Sequence, residues 1–219
     1  MKKLLLLLSY IIIIILIILL ASCPNPQNTH GNAHSEIVVD TIPVEKDAIV
    51  EIENKEPILL DSIKIKELSP LFSLQKDEFD PKGLTWVQPK NRPLYANKNG
   101  IYCYFQKNDD GISNFRLRIQ YYGEKWLFIE KYQFSIDGKA YEFVPLIVKR
   151  DHDGDVWEWC DEQIKYPDEI KLIKALANAK EAKIKFVGRQ YYNIKPISKK
   201  QINTIKETLD FYTAMGGKL

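Results

Sequence analysis

GISNFRLRIQYYGEKWLFIEKYQFSIDG, residues 111–138, decides the fold class. Phe115, Leu117, Ile119 and Tyr121 alternate with Asn114, Arg116, Arg118 and Gln120, the period of a strand with one buried and one wetted face. The second half is more apolar. Trp126, Phe128, Tyr132, Phe134 and Ile136 fall on one face, with Leu127 and Ile129 on the other, which predicts a strand interior to its sheet. Gly123 and Asp137-Gly138 close the two strands, because glycine supplies the positive φ that tight turns between twisted strands require.

The same punctuation continues outward. Asn99-Gly100, Asp110-Gly111 and Asp153-Gly154 join Gly123 and Asp137-Gly138 in a regular series, delimiting strands Ile101–Gln106, Ile112–Tyr122, Lys125–Ile136, Lys139–Val148 and Asp155–Cys160. An antiparallel meander of six to eight strands, sandwich-like, follows. Upstream, Ile63-Lys64-Ile65-Lys66 alternates as well, so 62–67 reads as the first secure strand. Downstream the period changes. Pro167, with Asp168 and Glu169 in the first turn, opens a helix to about Ala179 that turns Ile170, Ile173, Leu176 and Ala177 to one face. Glu181–Val187 reads as a strand. Ser198 and Gln201 then form a capping box for a helix burying Ile202, Ile205, Leu209 and Tyr212, which ends at Gly216-Gly217. The class is therefore α+β, with two helices in the C-terminal third.

The 219 residues are 45% apolar and 27% charged, a globular composition that excludes disorder throughout, collagen and a multi-span membrane protein. A formal charge of +2 gives no whole-chain excess for binding nucleic acid. Charge is uneven within it: residues 36–80 are net acidic and residues 163–219 net basic, with lysines scattered rather than clustered.

The N-terminus carries Lys2 and Lys3 and then an apolar run from Leu4 to Leu20, the form of an export signal. It closes on Leu20-Ala21-Ser22-Cys23, which resembles the lipobox of bacterial lipoproteins. The resemblance implies removal of residues 1–22 and acylation of Cys23, so that membrane contact runs through lipid on that residue. An uncleaved transmembrane anchor is the alternative. Pro24 follows the cysteine where some lipoproteins carry an Asp that retains them at the inner membrane, and no acidic run follows it. Both features, by the same resemblance, point to an outer membrane with the domain facing the periplasm, if the cell has two membranes. Residues 23–36 hold no large apolar side chain before Ser35 and read as a flexible tether, in which His30 and His34 are solvated. Residues 37–61 read as extended and weakly ordered, and 62–219 as a single globular domain. The runs Trp126–Pro145 and Lys183–Tyr212 also resemble lipoprotein domains of bacteria that have no assigned activity.

Candidate chemistry is sparse. Asp151, Asp153, Asp155 and Glu162 occupy positions of a calcium loop, but Val156 stands where the EF-hand needs glycine, so a hairpin tip with solvated acids is favoured over a metal site. His152 is the lone histidine of the folded part, and the pairs Asp77/Glu78 and Asp161/Glu162 are the carboxylates a hydrolase could use. No GxSxG, HExxH, CxxC or phosphate-cradling glycine loop occurs. Cys103 and Cys160 could form a disulfide outside the cytosol or stay as buried free thiols. Trp157 and Trp159 alternate on one strand face, with Tyr121, Tyr122, Tyr191 and Tyr192 elsewhere; such aromatics, where exposed, could stack on sugars or anchor a protein, but packing in the core is favoured. The reading is a non-catalytic envelope binding or scaffolding module with an envelope protein or glycan as partner and no cofactor. A carboxylate hydrolase and a cation-dependent module stand as alternatives.

Overall fold

A computed structural model describes residues 61–219. The expected signal segment 1–22, Cys23, the tether 23–36 and all but Asp61 of the stretch 37–61 lie outside the described residues. Helix α1 (Ser62–Leu68) and a 3-10 turn (Ser69–Leu71) lead into β1 (Phe72–Lys76), β2 (Thr85–Pro89), β3 (Gly100–Asn108) and β4 (Gly111–Gly123). Then come β5 (Ile129–Ile136), β6 (Lys139–Phe143), β7 (Lys149–Asp153) and β8 (Asp155–Gln163). Helix α2 (Pro167–Ala177), β9 (Ala182–Gly188), β10 (Tyr192–Ile197) and α3 (Lys199–Ala214) close the chain. The strands form two antiparallel sheets, one of order β1-β2-β3-β4-β8-β7 and one of order β10-β9-β5-β6. The α+β class and both late helices are as the sequence predicts.

The capping logic holds at both late helices. Glu169 accepts the Tyr166 N–H at 3.0 Å, and Ser198 and Gln201 cap each other's backbone at 3.2 and 2.8 Å. Helix α3 covers the inner face of the larger sheet, setting Phe211 4.7 Å from Phe72 and Tyr212 5.3 Å from Phe105 and 5.0 Å from Phe115. The smaller sheet covers the rest of that face, with Phe186 5.4 Å from Tyr121 across the sheets and 5.8 Å from its own cross-strand partner Tyr132. Ile101, Cys103, Leu117, Ile119, Ile173, Leu176, Ile184 and Ile205 join one continuous core, each large aliphatic side chain contributing about 2 kcal/mol.

The structure corrects several expectations. Residues 62–67 are helical rather than extended: Asp61 Oδ1 caps the Lys64 N–H at 3.0 Å, and Leu68 is the residue of α1 that is buried while Ile63 is exposed. Four alternating residues suit a strand, but one cap satisfies a helix start. The meander breaks after β4, which pairs with β8 and not with β5. β5 instead lies between β9 and β6, interior as expected, but begins at Ile129. The strand expected over Lys139–Val148 stops at Phe143, before Pro145, which has no N–H for a ladder. Trp157 and Trp159 are half-exposed on the outer face of the larger sheet; β8 turns Val156, Glu158 and Cys160 inward instead.

Glu158 explains where β5 starts. Its side chain has 0% exposure, and its carboxylate accepts the N–H groups of Leu127, Phe128 and Ile129 at 2.7, 2.9 and 2.8 Å. Arg150 Nε donates to it at 2.9 Å, and Arg150 Nη2 donates onward to the Ile129 carbonyl at 3.1 Å. Two of these three N–H groups precede the strand, so the backbone crosses from one sheet to the other on a carboxylate. Phe128 takes φ +56°, an unfavourable conformation for an aromatic residue, at the centre of this clamp.

Cys103 and Cys160 are free and buried. They sit on β3 and β8, on either side of β4, paired with Leu117 and Ile119 respectively. Two inter-strand spacings, about 9.5 Å, exceed the reach of about 7 Å between Cα atoms that a disulfide allows. Burial pushes the Cys160 thiol up to about 12 and raises that of Cys103 as well.

Candidate functional site: an aromatic cleft where the sheets meet

The Glu158 clamp leaves the 124–128 link on the surface, and β10 begins opposite it. Between them lies a cleft of about 590 Å³ lined by Tyr121, Tyr122, Trp126, Tyr191, Tyr192 and Lys195, with Glu124, Lys125 and Asn193 at its sides. Its size and its aromatic lining with a few polar groups suit a small ligand or a segment of polymer. Gly188 brings the backbone of the two walls together, because a Cβ there would overlap the Leu127 carbonyl. The Gly188 N–H closes the turn into β10 by donating to the Tyr191 carbonyl at 2.9 Å.

Tyr121 and Tyr122 are neighbours on β4 and point to opposite faces of the larger sheet: Tyr121 is buried on the inner face with Glu158, and Tyr122 lies on the outer face with Trp157. The Tyr121 hydroxyl donates to the Lys125 carbonyl at 3.3 Å; burial, then the charges of Glu158 and Glu124, raises its pKa and keeps it protonated. Tyr122 donates to Asp155, and that hydrogen bond is the main reason its pKa is raised too. Tyr191 and Tyr192 are 66% and 62% exposed and their hydroxyls make no hydrogen bond among the described residues. Lys185 Nζ stands 4.3 Å from the Tyr192 ring centroid and Lys195 Nζ 5.6 Å from that of Tyr121. Lys195 is half-buried yet has no ion-pair partner among the described residues. Trp126 stacks on Phe128 at 5.9 Å and meets the edge of the His152 ring at 6.2 Å.

The residues singled out in the sequence fall elsewhere or apart. Asp151, Asp153 and Asp155 lie on the β7–β8 hairpin, where Asp153 pairs with Asp155 around Gly154 at φ +76°. Asp155 is engaged by Tyr122, and among the described residues no group of three or more acidic, His or Cys side chains is placed to hold a metal ion. Asp161 and Glu162 are strand neighbours that point to opposite faces. Asp161 accepts the Tyr104 hydroxyl at 2.7 Å, Arg116 Nε at 2.8 Å and Arg118 Nη1 at 3.3 Å, a network satisfied within the protein, and Glu162 accepts the Ile147 N–H at 3.1 Å. Asp77 caps an exposed turn through the Phe79 N–H at 3.0 Å. Asp161 and Glu162 do not share a space, while Asp77 and Glu78 both border one hollow, with Gln75, Lys76, Phe79 and Trp86.

Of the cleft residues, Tyr121, Tyr122, Tyr191 and Tyr192 stand out in the sequence as aromatics, with core packing favoured over stacking, and Tyr121 is buried as its strand alternation predicts; Trp126 reads there as core and Lys195 is silent. The signal for Trp126 is Gly123-Glu124-Lys125, a glycine and two charges set inside an apolar run that is otherwise continuous. Comparison with family models, curated proteins and solved structures finds no match for the chain.

Proposed function

We propose that this protein is a lipid-anchored module of the bacterial cell envelope that binds a ligand non-catalytically in the aromatic cleft. The observation that carries the binding role is one open space lined by Tyr121, Tyr122, Trp126, Tyr191 and Tyr192 together with Lys195, which is half-buried and has no ion-pair partner among the described residues. Tyr121 is buried, but Tyr122, Trp126, Tyr191 and Tyr192 are left partly wet, and such rings supply large contact area at low entropic cost, which is what a binding surface needs. The anchor rests on the lipobox at Leu20–Cys23, and no helix among the described residues is long and apolar enough to cross a membrane. Two or more acyl chains would hold the protein on the membrane, with the tether setting its reach.

Mass spectrometry of the N-terminal peptide from native membranes tests the anchor: a lipid-bearing peptide starting at Cys23, lost in Cys23→Ala, is expected. An intact segment 1–22 in the membrane fraction would overturn it. For the cleft, the indole N–H resonance of Trp126 should move when envelope saccharides are titrated in, and should stay still in Tyr191→Ala. A resonance unmoved by the whole panel would remove the cleft from consideration.

A further inference from the structure

We propose that the cleft takes a saccharide bearing an anionic group, its ring stacked on Tyr191 and Trp126 and its anion on Lys195. The proposal rests on the cleft being the binding site and adds the class of ligand. Charge is the first argument. Lys125 and Lys195 line the cleft and Glu124 is the carboxylate that lines it with them, so cations outnumber carboxylates there. Lys195 stands beside the Tyr121 ring with no carboxylate in ion-pair range among the described residues, so its charge is open to an incoming anion. Lysine suits this role as a compact charge with three rotatable donors.

Ring chemistry is the second argument. Tyr191 presents most of its surface to solvent and Trp126 is half-exposed, so both leave ring surface for the apolar side of a pyranose. The hydroxyls of Tyr191 and Tyr192, without a hydrogen-bond partner among the described residues, and the amide of Asn193 can exchange hydrogen bonds with sugar hydroxyls. A purely apolar ligand would bury Lys195 without a partner. A nucleic acid strand would want a basic stripe running beyond the cleft, whereas the nearest groups along β8 and β7 are Asp155, Asp153 and Asp151.

The test is calorimetric titration of the full chain, purified from membranes in detergent, with three probes: tetragalacturonate, maltotetraose and single-stranded oligothymidine. Tetragalacturonate should bind about tenfold more tightly than maltotetraose, the worth of one charge-assisted contact. Lys195→Gln should erase that ratio, and raising the salt concentration should narrow it in the wild type. Tyr191→Ala, at an exposed position whose thermal melting should match the wild type, should weaken both saccharides. Equal affinities for the two saccharides, or a ratio untouched by Lys195→Gln, would overturn the anionic preference and leave the cleft standing. Binding of neither saccharide would sink the cleft reading along with it. Tighter binding of oligothymidine than of tetragalacturonate would replace the saccharide with nucleic acid.

Discussion

A carboxylate with no exposed surface must find its partners inside the protein, and Glu158 finds four: three backbone N–H groups and the Arg150 guanidinium. Glu158→Gln removes the charge and turns an NH2 group toward N–H donors that have no other acceptor. Unfolding in urea should show a loss of about 3 kcal/mol, within the cost of breaking a buried pair. In the sequence, Glu158 is one acid between two tryptophans and gives no hint of this. The hydrophobic argument for Trp157 and Trp159 fails for a linked reason, since strand alternation cannot say which face is inner. The inward set of β8 contains Glu158 because the N–H groups it accepts lie on that side.

At the level of elements, the Asp137-Gly138 turn between β5 and β6 does more than reverse the chain. Asp137 sits at φ +48°, and its carboxylate accepts the Lys180 N–H at 3.0 Å and the Glu181 N–H at 2.9 Å. Those N–H groups hold its carboxyl below the usual 3.8. A carboxylate with a depressed native pKa adds stability above its unfolded value and loses it as pH falls through the native one. Asp137→Asn preserves the left-handed turn but not the charge. Thermal melting should place the variant below the wild type at neutral pH, with the gap closing in acid below about pH 4. The hairpin was readable from Asp-Gly. Its grip on the entry to β9 was not, because the partners lie more than forty residues along the chain.

Across the whole molecule, the two sheets share a core, and the link that Glu158 holds between them is closely approached by β9, at Gly188 against the Leu127 carbonyl. Any side chain there must displace the link that Glu158 holds. Gly188→Ala should therefore lower stability by about 2 kcal/mol or more, and should shift the Trp126 indole resonance even without ligand, because Trp126 rides on that link. A variant that melts like the wild type with an unmoved resonance would show that the walls of the cleft are set elsewhere. The same view accounts for the free thiols: Cys103 and Cys160 occupy one core, yet β4 stands between them.

Local rules were enough for much of this protein. Period-two alternation over 112–122, Asp-Gly turns, the Ser198/Gln201 capping box and Pro167 each depend on neighbours within a few residues, so the α+β class and both late helices were legible directly. Strand partners were not. β4 could have paired with β5 by every local criterion, and it pairs with β8 because Glu158 and Gly188 divert the intervening backbone into a second sheet. The cleft is a product of that diversion: Trp126 from the link and Tyr191, Tyr192 and Lys195 from the start of β10 lie some sixty-five residues apart in the chain. Contacts at that separation depend on how sheets pack, and no periodicity in a single segment encodes them.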